Sequence, residues 1–375
     1  MLSANEFPIL PWGCTPGDRK SLESISECGF NLAGFVKPQA LDAVAEAGLK
    51  AFVIDETTHV SDEAANFNPQ QIEKLVKALV ARTKGHKAVF GYYLRDEPGA
   101  SAFAGLGRWA KAFRKAHAGS LPYINLFPNY ASPEQLKAKT YAEYLERFVK
   151  QARPDFISYD HYALMNDGSL RDGYFQNLEA VRKAARRHDL PFWNIVLGNS
   201  HFDHAEPSQG GLNFQLFTTL AYGGRGISYF TYFTPTIGNY RLAAIDQFGN
   251  KTPTWNLLRY VNLQLHKLGP VYLTLKNVNV FHHPNVPRGC SGMKSSKLGM
   301  DVSGDDLLVG EFKNPQGKPF AMVVNKSLHK STVYQVKFRG AGRIMRVNSF
   351  TGNVGPWLGE DCWLAPGQGA LLCLE

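Results

Sequence analysis

No stretch of the chain approaches the ~20 consecutive apolar residues that a membrane-spanning helix needs, and the mean hydropathy is −0.25. Spanning helices are therefore excluded. Cysteine is scarce and unpaired in pattern: Cys14, Cys28, Cys290, Cys362 and Cys373 are five, an odd number, with no C-x-x-C spacing among them. A zinc ribbon or a dense disulfide framework does not fit that usage, and buried thiols are expected even where Cys362 and Cys373 could meet across neighbouring strands. No block of one charge sign occurs, although 41 Lys and Arg against 32 Asp and Glu leave a formal net charge of +9. With 44% apolar and 19% charged residues in 375, the composition is that of a folded globular protein rather than a disordered one. No G-x-G-x-x-G or P-loop turn follows any strand-like run, which argues against a doubly wound nucleotide-binding fold. Residues 1–13 lack a basic region followed by a long apolar core, so no signal peptide is expected there, and the compartment stays open.

What the chain does contain is alternation. Short apolar runs at Phe7–Trp12, Phe30–Val36, Leu49–Ile54, Ala88–Leu94, Pro122–Phe127, Phe156–His161, Pro191–Leu197 and Gly226–Phe233 are separated by amphipathic stretches. The latter include Gln70–Thr83, Phe103–Ala118, Tyr141–Gln151, Asp172–His188 and Gly211–Tyr222. Strands alternating with helical crossovers imply a parallel sheet, and eight of them in a length near ~250 residues predict an α/β fold of the (β/α)8 TIM-barrel kind over residues 1–270. Beyond Gly269 the helical pattern stops. Val271–His282, Leu307–Lys313, Phe320–Asn325, Thr332–Phe338, Ile344–Phe350 and Gly369–Leu374 read as short strands between turns such as Asn314-Pro-Gln-Gly317. A small C-terminal antiparallel β-sandwich over residues 271–375 is expected.

Reactive groups of such barrels sit at the C-terminal ends of the strands. The fourth run ends Gly91-Tyr-Tyr-Leu-Arg-Asp96-Glu97-Pro98-Gly99. Strict alternation puts Gly91, Tyr93, Arg95 and Glu97 on the axial face and Phe90, Tyr92, Leu94 and Asp96 on the other, with Pro98 stopping the strand so that Glu97 stands at the rim. The sixth run ends Ser158-Tyr-Asp160-His161-Tyr162, with Ser158, Asp160 and Tyr162 on one face. Asn125 and Asn129 from the fifth run, Trp12 from the first, and Tyr229, Thr231 and Tyr232 from the eighth complete the rim. Carboxylates, amides and aromatic rings together suit sugars, whose hydroxyls need oriented partners and whose ring faces need flat platforms.

With those residues in view, the chain resembles the clan A barrel glycoside hydrolases, most closely the β-galactosidase and agarase-like branches. The resemblance rests on Gly91–Gly99, on Ile157-Ser-Tyr-Asp160-His-Tyr162, and on a sandwich tail ending Ala365-Pro-Gly-Gln-Gly-Ala370. It implies that Glu97 is the general acid/base, and that Asp160 and Tyr162 contact substrate. The clan usually has Asn before the acid, where this chain has Asp96. The clan also places its nucleophile at the end of strand seven, and here Phe192–His201 carries no carboxylate. The candidates for a second carboxylate are Asp160 and Glu206, the latter in the loop beyond.

The reading that follows is a cofactor-free glycoside hydrolase acting on a β-linked oligo- or polysaccharide. Glu97, Asp160 and Glu206 are the catalytic candidates, and Trp12, Asp96, Asn129, His161, Tyr162, His201 and Tyr232 are the sugar contacts. The rival is a carbohydrate-binding barrel without activity, motivated by the missing carboxylate of strand seven; a third reading uses Asp160 and His161 as an acid/base pair on another substrate. His201, Asp203 and His204 lack the H-x-x-x-H spacing of a helical metal site, and no metal is expected. Asp55-Glu56 and Cys14 read as ordinary rim residues. Two basic stripes, Arg108/Lys111/Arg114/Lys115 and Arg182/Lys183/Arg186/Arg187, read as solvated helix faces; with few interleaved aromatics they do not suggest nucleic acid, while the positive balance also suits an anionic glycan. The oligomeric state is not legible.

Overall fold

A computed structural model describes residues 2–375. Eight parallel strands form the barrel: β1 Ile9–Pro11, β2 Leu32–Val36, β3 Lys50–Val53, β4 Val89–Asp96, β5 Leu121–Leu126, β6 Ile157–Asp160, β7 Phe192–Leu197 and β8 Gly226–Phe230. Hydrogen-bonded order runs β1-β8-β7-β6-β5-β4-β3-β2. The seam between β1 and β2 closes just past β1, where Phe35 N–H donates to Gly13 O (3.1 Å) and Thr15 N–H donates to Phe35 O (2.9 Å). That closure needs Gly34, which has φ +83° and whose Cβ position would fall 2.7 Å from Pro11 O. Any side chain there would pry the seam apart.

Helices cover the barrel because each carries a periodic apolar stripe. In Pro69–Thr83 the buried residues are Ile72, Val76, Leu79, Val80 and Thr83, and Asn68 with Gln71 forms a capping box at its start. The interior is filled chiefly by aromatic rings: Trp12, Phe35, Phe52, Phe90, Tyr93, Tyr123, Phe156 and Trp193, with Leu10, Leu32 and Ile195. Of the second basic stripe, Arg182 departs from expectation. It is buried and paired to Glu179 at 2.7 Å, because its helix face packs under the C-terminal region rather than facing water.

The last barrel helix runs Pro253–Tyr272, past the 270/271 point where a domain boundary and a strand start were expected. Pro270 lies inside it, and Val261, Leu265, Leu268 and Tyr272 keep their helical spacing and remain buried. The strand begins only at Lys276. From there a six-stranded antiparallel sheet assembles in the order Val354–Pro356, Ile344–Val347, Gly369–Leu374, Pro319–Asn325, Leu307–Lys313 and Lys276–His283. One face, with Phe281, Val309, Val323 and Leu372, packs on Val302, Tyr334, Val336 and Phe338 from short paired strands. The opposite face, with Leu308, Met322, Val324 and Leu371, joins the core of the barrel helices. It lies on the helix Gln209–Ala221, which is buried along almost its whole length. Approach is closest at Gly310, where a Cβ would fall 2.1 Å from Ala221 O.

All five cysteines are free thiols. Within the sandwich, the fully buried carboxylate of Glu311 accepts from Asn279 Nδ2 (2.8 Å), Lys297 N (2.8 Å), Ser296 Oγ (2.6 Å) and Leu298 N (3.0 Å). Glu311→Ala strands these donors and is expected to cost about 2–4 kcal/mol. A lowered urea midpoint checks it; an unchanged midpoint contradicts it.

Candidate active site

The C-terminal end of β4 does not alternate strictly. Register shifts fall between Ala51 and Phe52 on the β3 side and between Tyr93 and Arg95 on the β5 side. Phe90 and Tyr93 therefore both point into the barrel, while Tyr92 and Leu94 face the helices. Past the second shift Arg95 reaches sideways to Val60 O (2.6 Å) and Asp62 Oδ1 (3.0 Å), and Asp96 turns toward the mouth instead of away from it. Bulges re-aim side chains in this way next to functional sites. Glu97 follows in a left-handed conformation, φ +43°, with its N–H held by Asn125 O at 2.9 Å. A residue with a β-carbon adopts that conformation at a cost of about 1–3 kcal/mol, which the surrounding structure must offset.

Three carboxyl groups converge there. Asn125 Nδ2 donates to Asp96 Oδ1 and to Asp160 Oδ1, each at 2.9 Å. The Glu97 and Asp160 side chains are hydrogen-bonded to one another. Burial, followed by the charge of Asp96, raises Glu97 to about 7. Burial, followed by the charges of Glu97 and Asp96, holds Asp160 well above the usual carboxylate range. Asp96 keeps contact with solvent; crowding by protein raises it as well, against the opposing hydrogen bond from Asn125. The arrangement retains a proton near neutrality, as like charges in contact cannot all ionise.

Around the trio, half-buried Tyr162 stacks on Phe230, with centroids 5.3 Å apart, and its phenol is held high by burial and then by Asp160. Tyr130 is 45% exposed on the β5 side, feels the charge of Asp160 and Glu97, and carries the Arg171 guanidinium 4.9 Å above its ring. His201 lies flat against Tyr240 (4.8 Å, 7°), with Nδ1 2.8 Å from Asn199 Oδ1; burial lowers it to about 4, so it is neutral. Asn129 is half-buried: its N–H donates to Asn177 Oδ1, its Nδ2 donates to Gly173 O, and its Oδ1 is left without a partner.

Several expected site residues lie elsewhere. Glu206 is on the surface, with Oε1 2.9 Å from Arg241 Nε and its side chain 58% exposed. Trp12 is only 7% exposed and packs edge-on against Phe35 and Tyr123, inside the barrel. Tyr232 faces the outer helices, its hydroxyl 2.8 Å from Ser24 Oγ and 3.0 Å from Trp255 Nε1. His161 points outward from β6 to Asn177 Oδ1 (3.0 Å), is fully buried, and is lowered to about 4 by burial. Tyr130, Tyr240 and Arg171 were not among the expected contacts; their only signal was an aromatic or basic residue in a loop following a strand. The end of β7 supplies Asn199, bonded to Thr231 Oγ1 at 3.0 Å, and no carboxylate. Among the described residues no cluster of three or more His, Cys, Asp and Glu is arranged to hold a metal ion, and no helix is long and apolar enough to cross a membrane.

No family model and no curated protein matches the sequence. Solved structures do match in fold. A protein described as a glycoside hydrolase superposes with a TM-score of 0.61 at 13% identity, covering 99% of this chain and 93% of its own. A glycoside hydrolase family 5 protein from Bacteroides vulgatus gives 0.60 at 12%, covering 98% and 89%. The β-galactosidase of the psychrophilic Marinomonas ef1 gives 0.53 at 11%, covering 72% of this chain, which spans 62% of that longer protein. The chain thus has the fold of the barrel glycoside hydrolases, barrel and C-terminal sheets together.

Proposed function

We propose that the protein is a glycoside hydrolase acting on a β-linked oligo- or polysaccharide, with the barrel, through the helix ending at Tyr272, carrying the chemistry and the strands from Lys276 onward forming an accessory sandwich. The observation that carries this reading is the carboxyl cluster at the mouth, in which Glu97 keeps its proton to about pH 7 and contacts Asp160. An acid so poised protonates a glycosidic oxygen at neutrality, where an ordinary carboxylate is ionised. Glu97 donates that proton to the leaving oxygen, and Asp160, in its ionised form, attacks the anomeric carbon. The nearness of the two carboxyl groups favours a retaining mechanism over an inverting one, which needs ~6.5–9.5 Å between them to admit a water. Burial first and the charge of Asp96 second keep Glu97 protonated, and Tyr162 and Tyr130 offer faces and hydroxyls to the sugar. Arg171 above Tyr130 and the net charge of +9 support an anionic glycan.

The test is release of sugars from a panel of neutral and anionic β-glycans, read by mass, with the first-formed anomer read by proton NMR. Release with retained configuration is the expected result. Release with inversion removes Asp160 as nucleophile. Binding without release from any glycan favours the inactive barrel that the Asn199 end of β7 suggests.

A further inference from the structure

A lone exposed ring is ordinary on a protein surface. Phe202, in the loop after β7, is not of that kind: it is 67% exposed, its backbone is left-handed with φ +49°, and its neighbours hold it there. We infer that Phe202, with Tyr240 beside it, is a stacking platform for an outer sugar unit, beyond the two that flank the cleaved bond. The ligand is then a chain of sugars that leaves the mouth on its β7–β8 side. This rests on the reading of the mouth as a glycan site.

The loop that carries Phe202 is sewn to the rim on both sides. Toward the loop after β8, Ser200 and Arg241 exchange both backbone hydrogen bonds at 2.9 Å, and Glu206 joins the same seam through Arg241. Toward the loop after β6, Asn166 N–H donates to Asp203 O and Ala205 N–H donates to Leu164 O, each at 2.9 Å. Asn239 clamps Phe202 itself: the Phe202 N–H donates to Oδ1 at 2.7 Å, and Nδ2 donates to Phe202 O at 2.9 Å. Two bonds from one amide thus support a backbone conformation that a residue with a β-carbon adopts only under strain. Strain kept under such support marks a functional position rather than slack chain.

The ring also stands in line with the carboxyl trio. Tyr162, whose phenol feels Asp160, Asp96 and Glu97, meets His201 edge-on with centroids 5.6 Å apart. His201 is buried, and its ring lies 5.1 Å from Phe202 and 4.8 Å from Tyr240. Phe202 and Tyr240 meet at 5.9 Å and 69°, which makes a corner of two ring faces. Ile237, 70% exposed and bonded through its carbonyl to the Tyr240 N–H, adds apolar surface on the same loop. Each ring-to-ring step is about the span of one sugar ring, so Phe202 falls an outer unit away from the reacting one. Aromatic rings bind the apolar CH face of a pyranose by burying it. Asp203 follows Phe202 directly, and Arg241 is paired with Glu206, which disfavours an anionic unit at this platform. The unit it takes is a neutral hexopyranose.

Loss of an outer platform has a signature that loss of structure lacks, because it depends on the length of the substrate. Phe202→Ala is expected to raise KM about five- to tenfold on β-linked oligosaccharides of four to six units, with kcat unchanged. A short aryl glycoside, which does not reach the platform, is expected to stay within about twofold. Phe202→Trp keeps a ring face and is expected to keep the wild-type KM. Asn239→Ala frees the ring and is expected to reproduce the loss on long chains alone. Calorimetric titration reads the same dependence without turnover, using the Glu97→Gln protein with and without Phe202→Ala. The probes are β-1,4- and β-1,3-linked gluco-, galacto- and manno-oligosaccharides of two to six units. Affinity is expected to grow with length, and the growth to vanish with the ring. Equal losses on short and long substrates overturn the inference, as does affinity that does not grow with length. A change of oligomeric state in Phe202→Ala with the length dependence intact also overturns it, and assigns the ring to a second copy of the chain. Absence of turnover in the wild type counts against the hydrolase reading alone, because the titrations still decide the platform.

Discussion

Glu97→Gln is expected to lower kcat by about 10²–10⁴, the usual worth of a general acid, while glycan affinity changes little. The amide keeps the shape of the side chain and its place beside Asp160 but has no proton to give. The same substitution is expected to stabilise the fold in alkali. Glu97 ionises at about 7 in the folded chain against an ordinary 4.5, so between those values the native state binds more protons than the unfolded state. Stability therefore falls as pH rises through that window, and the loss is complete above about 7. The substituted amide does not titrate and escapes the loss. Thermal melts at pH 5 and pH 8 are expected to show the variant gaining on the wild type at the higher pH. Equal gains at both would mean that Glu97 is not held protonated.

Asp160→Asn is the second large effect. It removes the group proposed to attack the anomeric carbon, and kcat is expected to drop by at least about 10³ on substrates whose leaving group needs no acid. It also replaces the carboxyl that hydrogen-bonds Glu97 by a neutral amide. Burial is the first cause of the Glu97 shift and the charge of Asp96 the second, so most of the elevation is expected to survive. Residual turnover should accordingly keep a basic limb near that of the wild type. Small external nucleophiles such as azide are expected to restore turnover on activated substrates by taking the vacated position. Wild-type rates in this variant would remove Asp160 from the chemistry.

The order of barrel elements is legible because short apolar runs alternate with helical stripes, and each of the eight runs overlaps a barrel strand. Glu97 and Asp160 are legible because a carboxylate just before a strand-stopping Pro98, or at the end of an alternating run, has to stand at the barrel mouth. Asp96 is misread as facing outward because a bulge adds a residue without disturbing the apolar pattern; the register shift between Tyr93 and Arg95 exists only in pairing with β5. Tyr232 is misplaced for a related reason: it lies two residues past the end of β8, where strand alternation no longer governs direction. Glu206 depends on Arg241, a partner 35 residues away that local sequence does not point to. His161 is different, since alternation with Asp160 already implies that it faces outward. Pro270 reads as a helix stop, yet it removes only one donor, and the buried stripe through Tyr272 outweighs that loss.

The most direct measurement is the titration of the Glu97 carboxyl carbon by NMR in the wild-type chain, assigned by comparison with Glu97→Gln. A midpoint about 7 is the value that a neutral-pH acid requires and that its buried position beside Asp96 produces. A midpoint at the ordinary 4.5 would leave Glu97 ionised at neutrality and contradict its role as the acid.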